Sequence, residues 1–164
     1  LQAGVGGMAA SIIAGFAKFS KNIPKFIIVE PEKADCVLKS IKNEKPTSVK
    51  ISEETIMGGM SCGDVSTVAW KILKNSTNNC LTITDDAIST VVAMLAEAKL
   101  SNEKIIGGEC AVPGIIALIS LFKNKDYINK LDLNSDSKIL LFGCEGLTDK
   151  KMYKKLLDDG LKKI

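Results

Sequence analysis

Short apolar runs alternate with longer helical patterns along this 164-residue chain, and glycine clusters stand at the ends of several runs. That alternation constrains the fold more than any other feature. Phe26-Ile27-Ile28-Val29-Glu30 reads as a strand buried on both faces and stopped by Pro31. Cys80 to Ile83, Lys104-Ile105-Ile106 and Lys138 to Phe142 read as further strands, and Val49-Lys50-Ile51 as a weaker extended piece. Helical patterns cover Met8 to Phe19, Pro31 to about Ile41, Val65 to Leu73, Thr84 to Lys99, Pro113 to Phe122 and Asp149 to Leu157. Pro31 and Pro113 suit first helical turns, and Thr84 suits an N-cap. Strands alternating with helices predict an α/β fold, a mostly parallel sheet with helices on both faces in three layers. Ligands bind such sheets at the carboxyl ends of the strands. Gly4 to Gly7, Gly107-Gly108 and Gly143 to Gly146 fall at those ends, the first after a strand expected before residue 1.

What the chain lacks narrows the chemistry. It has no His, which excludes Ser-His-Asp and Cys-His catalysis and His-ligated metal among these residues. All 22 basic residues are Lys and face 19 acidic ones, so no nucleic-acid footprint is expected. The Lys-rich stretch from Lys150 to Lys163 reads as a solvated helix face. Five cysteines are scattered with no C-x-x-C pair, the pattern of reduced thiols in a cytoplasmic protein, with no metal site. The first 17 residues carry no charge, but glycines interrupt them and the run is short for a span, so no membrane insertion is expected. The chain opens within the Gly4 turn, and we expect a fragment of a larger protein, forming a single lobe over 1–164.

Four places can carry chemistry. The run Gly4-Val5-Gly6-Gly7 before an apolar helix can hold a phosphate on backbone N–H groups, or can be a tight turn for close packing. Glu30 lies roughly 20 residues beyond that loop, where a dinucleotide fold places its ribose-binding acid. A solvated acid before Pro31 is the plainer reading, and the preferred one. Glu109, after Gly107-Gly108, is either a helix-start cap or a pocket acid. Cys144, between Gly143 and Glu145, has no His to activate it. It is a ligand partner or a small packing residue.

Read together, several motifs carry a resemblance. They are Gln2-Ala3-Gly4-Val5-Gly6-Gly7, Phe26 to Pro31, Thr55-Ile56-Met57-Gly58-Gly59-Met60-Ser61-Cys62-Gly63, Gly108-Glu109-Cys110-Ala111 and Leu141 to Asp149. In this order they resemble the C-terminal part of the diaminopropionate ammonia-lyase family. That family belongs to the tryptophan-synthase-β-like, fold-type-II group of pyridoxal-phosphate enzymes. The resemblance implies that Gly4, Val5, Gly6 and Gly7 hold the cofactor phosphate. It implies that Gly58 and Gly59 line the cofactor pocket, that Glu109 lies on the pyridine side, and that Cys144 faces the pyridine nitrogen. A neutral thiol there does not force the ring to be protonated, which favours elimination. The implied reaction is α,β-elimination of 2,3-diaminopropionate, a small amino acid, to pyruvate and ammonia, in a cytoplasmic homodimer. No Lys here matches the family's Schiff-base motif, so none is nominated as catalytic and the fragment alone is expected to be inactive. Competing readings are another fold-type-II enzyme of threonine or serine dehydratase or cysteine synthase type, a nucleotide-binding module using Gly4 to Gly7 and Glu30, and a non-catalytic truncated remnant.

Overall fold

The computed structural model describes residues 1–164 and divides them into two compact units, Leu1–Asp85 and Asp86–Ile164. In the first unit, strand β1 (Ile27–Pro31) pairs in parallel with β2 (Asn79–Ile83), with Ile28 opposite Cys80 and Glu30 opposite Thr82. On the other edge of β1, Gln2 bridges Val29, also in parallel. Val29 N–H donates to Leu1 O at 2.8 Å, and Ala3 N–H donates to Val29 O at 2.9 Å. The strand expected ahead of the glycine turn is therefore represented by the first three residues themselves. β1 is flanked on both edges and buried along its length, which is why its sequence is a continuous apolar run.

Helix α1 (Gly7–Phe19) packs against α3 (Thr67–Ser76), whose N-cap Ser66 accepts from Ala69 N–H. Ile13, Ile28, Val37, Trp70 and Leu73 are in the core of this unit, and the rings of Phe16 and Phe26 meet edge to face at 5.8 Å. Pro31 is not in a helix's first turn. It ends β1, fully buried, and α2 (Cys36–Lys42) starts five residues later. A strand end suits proline because the ladder needs nothing from its missing N–H. Glu32 N–H takes up the Ile83 carbonyl beside it at 3.0 Å. The Val49–Ile51 piece forms no ladder and has one bond, from Val49 N–H to Gly63 O at 2.8 Å.

The second unit is helical: α4 (Ile88–Ala96), α5 (Pro113–Phe122), α6 (Lys125–Leu131) and α7 (Lys150–Leu161). Pro113 opens α5 as expected, and Asp149 caps α7 by accepting from Lys151 and Met152 N–H. The helical path starts right after Thr84, as expected, with a 3-10 turn over Asp85–Ala87 that runs directly into α4. The helix stops at Ala96 rather than Lys99, and Ala98 takes the left-handed conformation with φ 54°. Lys104–Ile106 and Lys138–Phe142 form no strands. A strand needs a neighbour to satisfy its N–H and C=O groups, and this unit supplies none beyond single contacts such as Gly108 N–H to Glu145 O at 3.2 Å. Ile106 and Leu140 are consequently 58% and 63% exposed. No helix of the chain is long and apolar enough to cross a membrane.

Candidate functional site

In the first unit the chain turns from its β1 pairing into α1 through glycine. Gly6 is the N-cap residue at φ 87°, and a Cβ there would stand 2.6 Å from Leu73 Cδ1. Both the conformation and the space therefore demand glycine. Gly6 O accepts the first helical bond from Ala10 N–H at 2.9 Å. A Cβ on Gly4 would lie 2.9 Å from both Gly59 O and Cys62 Sγ. The Gly4 loop therefore rests directly on the short 3-10 turn Gly58–Met60, and two motifs far apart in sequence become one surface. Gly7 and Gly58 face open space. Val5 anchors the loop by accepting from Ser66 N–H at 2.9 Å, while its side chain stays exposed.

This arrangement suits an anion. The leading N–H groups of a helix have no carbonyl one turn earlier, and the helix dipole adds positive potential at the same end. Here that end belongs to a 13-residue helix and opens at Gly7, where no side chain intrudes. A phosphate fits without any cationic side chain. The thiol of Cys36 backs the loop, donating to Gly4 O at 3.6 Å. Burial pushes that thiol, and the Cys80 thiol, up to about 12, so both stay protonated.

Glu30 corrects the preferred sequence reading. It is fully buried, not solvated, and accepts from Val37 and Leu38 N–H, both at 2.8 Å. Its two oxygens serve the start of α2 and the side chain is sealed from the surface, which removes the support it lent to nucleotide binding. The sequence reading also missed the brace behind Gly58. Asp85 accepts from Thr55 Oγ1, from Ile56 N–H at 3.4 Å and from Lys33 Nζ at 3.1 Å, and Lys33 also reaches Glu53 at 2.6 Å.

In the second unit, Glu109 and Cys144 lie on two loops that pack together. A Cβ on Gly107 would lie 3.2 Å from Ala111 Cβ, and one on Gly143 would lie 3.4 Å from Ala111 O. Glu109 does not cap α5, whose N-cap position is Val112. It is half-buried, and its pKa is raised, chiefly by burial and further by the Glu145 and Asp149 charges. Cys144 is exposed, and none of the five cysteines forms a disulfide. The sequence pattern assigns no role to Glu145. Its carboxylate joins the two loops, and its atoms lie within 4.8 Å of the Glu109 carboxylate and the Cys110 thiol.

Residues 1–141 match the family of pyridoxal-phosphate dependent enzymes. The chain belongs to that family. Pyridoxal phosphate is the family's cofactor, and backbone N–H groups at the glycine-lined start of α1 suit its phosphate. The diaminopropionate ammonia-lyase of Salmonella typhimurium is 32% identical, matching 98% of this chain and 41% of that relative. The Escherichia coli K12 enzyme of the same name is 31% identical over the same shares. The crystal structure of the Escherichia coli enzyme in complex with D-serine superposes with a TM-score of 0.84 at 30% identity, covering 98% of this chain and 40% of that one. The pyridoxal-phosphate chain described here therefore has the fold-type-II architecture, a parallel sheet with helices. It spans about two fifths of the length of the relatives that it matches.

Proposed function

We propose that this chain is a single lobe, residues 1–164, of a pyridoxal-phosphate-dependent ammonia-lyase that removes ammonia from 2,3-diaminopropionate by α,β-elimination, leaving pyruvate. The observation that carries this reading is the glycine cradle. Gly4 is closed against Gly59 and Cys62, Gly6 is left-handed, and Gly7 opens at the positive end of α1. The named relatives support the substrate, since identity of 31–32% runs through 98% of this chain.

In this proposal Gly4, Val5, Gly6 and Gly7 hold the cofactor phosphate by backbone N–H groups. Gly58 and Gly59 keep the adjoining wall free of side chains. Glu109 stands on the pyridine side, where burial and the Glu145 and Asp149 charges raise its pKa. The Cys144 thiol shares a weak hydrogen bond with the ring nitrogen. When bound, the cofactor supplies an electron sink for charge developing on the substrate's α-carbon. The residues of this chain bind and orient, and the amine and base that elimination needs belong to the remainder of the enzyme, a cytoplasmic homodimer.

Gly7→Asp tests the phosphate assignment. A Cβ at Gly7 meets nothing within 4 Å, so the fold accepts it. An acid in the first turn is favourable to a helix by about 0.3–1 kcal/mol. Thermal stability should therefore hold or rise while pyridoxal-phosphate affinity, measured by titration, falls at least about tenfold through like-charge repulsion. Equal affinity in variant and parent would remove the phosphate from this loop.

A further inference from the structure

We propose that Glu145 is a positioning residue that sets Glu109 and Cys144 in register by tying together the loops that carry them. The inference rests on the roles given above to Glu109 and Cys144.

Contacts from both loops converge on Glu145. Its Oε2 accepts from Cys110 N–H at 2.6 Å, immediately after Glu109. Its backbone carbonyl accepts from Gly108 N–H at 3.2 Å, immediately before Glu109. Glu109 is thus held from both sides by one residue, which is itself the neighbour of Cys144. The third contact is steric. A Cβ on Gly108 would lie 2.5 Å from Glu145 Oε2 and 2.7 Å from its Cδ, so the carboxylate occupies the space that any other residue at 108 would need. Thr148 Oγ1, 3.4 Å from Oε1, steadies the carboxylate from its own loop. A charged acceptor on a backbone N–H makes a stronger bond than a neutral one. The nearby carboxylate also contributes to the raised pKa of Glu109, so Glu145 acts on that residue electrostatically as well as by placement.

Gly143 packs on Ala111 and Leu141 on Gly114, but no strand ladder fixes the register of the two loops. Lys104–Ile106 and Lys138–Phe142, which lead into them, form no ladder with each other. In an ordinary sheet, strand register would place the two loop residues. Here the Glu145 tie supplies that function at the loop ends.

The test uses the 164-residue chain with Glu145→Ala, Glu145→Gln and Gly108→Ala variants. Glu145→Gln keeps an oxygen for Cys110 N–H and removes the charge. Amide exchange at Cys110 should accelerate about tenfold or more in Glu145→Ala and far less in Glu145→Gln. Gly108→Ala should destabilise the parent and be better tolerated together with Glu145→Ala, because the side chain it strikes is gone. Pyridoxal phosphate is then titrated into each protein and its absorbance maximum recorded. The bound maximum should shift in Glu145→Ala and return toward the parent's in Glu145→Gln. Unchanged Cys110 exchange in Glu145→Ala overturns the tie. Faster exchange with an unshifted absorbance overturns the positioning role, because the tie would then be packing alone. A parent that binds neither pyridoxal phosphate nor competing inorganic phosphate overturns the functional reading, and the positioning role with it. The exchange data separate that outcome from failure of the tie.

Discussion

Glu30 shows how far a residue's setting can depart from what its sequence neighbours imply. Beside Pro31, at the end of an apolar run, it has the appearance of a solvated acid. The fold buries it completely, because the parallel register of β1 continues through Glu30 and Pro31 into Thr82 and Ile83. No local pattern shows which strand will lie alongside, so burial at this position was not legible. Gly4 to Gly7 was legible, because the requirement for glycine is local to the turn itself. Burial pushes the Glu30 pKa up to about 7 from its ordinary 4.5, against the two backbone bonds that oppose the rise. The Asp35 charge adds to the rise, and Cys36 makes a smaller opposing contact. The folded protein therefore keeps the proton up to about pH 7, while the unfolded chain releases it near 4.5. Below the lower value this group contributes no pH dependence. As pH rises from there through 7, stability falls by on the order of 3 kcal/mol. Glu30→Gln abolishes this titration. Thermal scans between about pH 5 and about pH 8 should show the parent losing stability relative to the variant. Parallel curves would mean that Glu30 is ionised in the fold throughout.

Elements were legible where their ends carry their own signals. α1, α5 and α7 begin within a residue of expectation because a glycine turn, Pro113 and the Asp149 cap mark them. The seven-residue α6 was missed, although Asn124 caps it by accepting from Asp126 N–H. The segments 104–106 and 138–142 have the apolar signature of β1 and yet form no strand, because a ladder is a property of pairs. Close packing of helices was equally hidden. Gly160 sits in the last turns of α7, where glycine costs about 1 kcal/mol relative to alanine. On propensity alone Gly160→Ala should stabilise. A Cβ there, however, would stand 2.0 Å from Ser89 O and 2.7 Å from Ala93 Cβ, so α7 has to move off α4. Lys163, which reaches Ser89 Oγ at 3.0 Å from the end of α7, would move with it. We expect a net loss of about 2 kcal/mol or more in urea unfolding. A gain would show that the two helices separate without cost.

At the scale of the whole molecule, binding and turnover divide between what this chain contains and what it lacks. In the proposed reading Gly4 to Gly7 form an anion cradle from backbone, which needs no basic side chain and no residue outside the Leu1–Asp85 unit. Elimination needs more: an amine to fix the cofactor and a base to take the α-proton. The groups nearest the loops do not supply them. Lys33 is occupied by Glu53 and Asp85, and the Cys36 thiol is held protonated. Glu145 is committed to Cys110 N–H. The chain has no His, and it spans 41% of the length of the relatives it matches. These facts together predict binding without turnover. The 164-residue chain, given pyridoxal phosphate and 2,3-diaminopropionate, should release no pyruvate above the rate with cofactor alone, in an assay that follows pyruvate continuously. The same sample should still bind inorganic phosphate and cofactor in competition. Ordinary enzyme turnover, about 10 per second, would show that one of the 22 lysines serves as the amine after all. Loss of both binding and turnover would place the phosphate elsewhere and leave the glycine cradle as a packing device for α1.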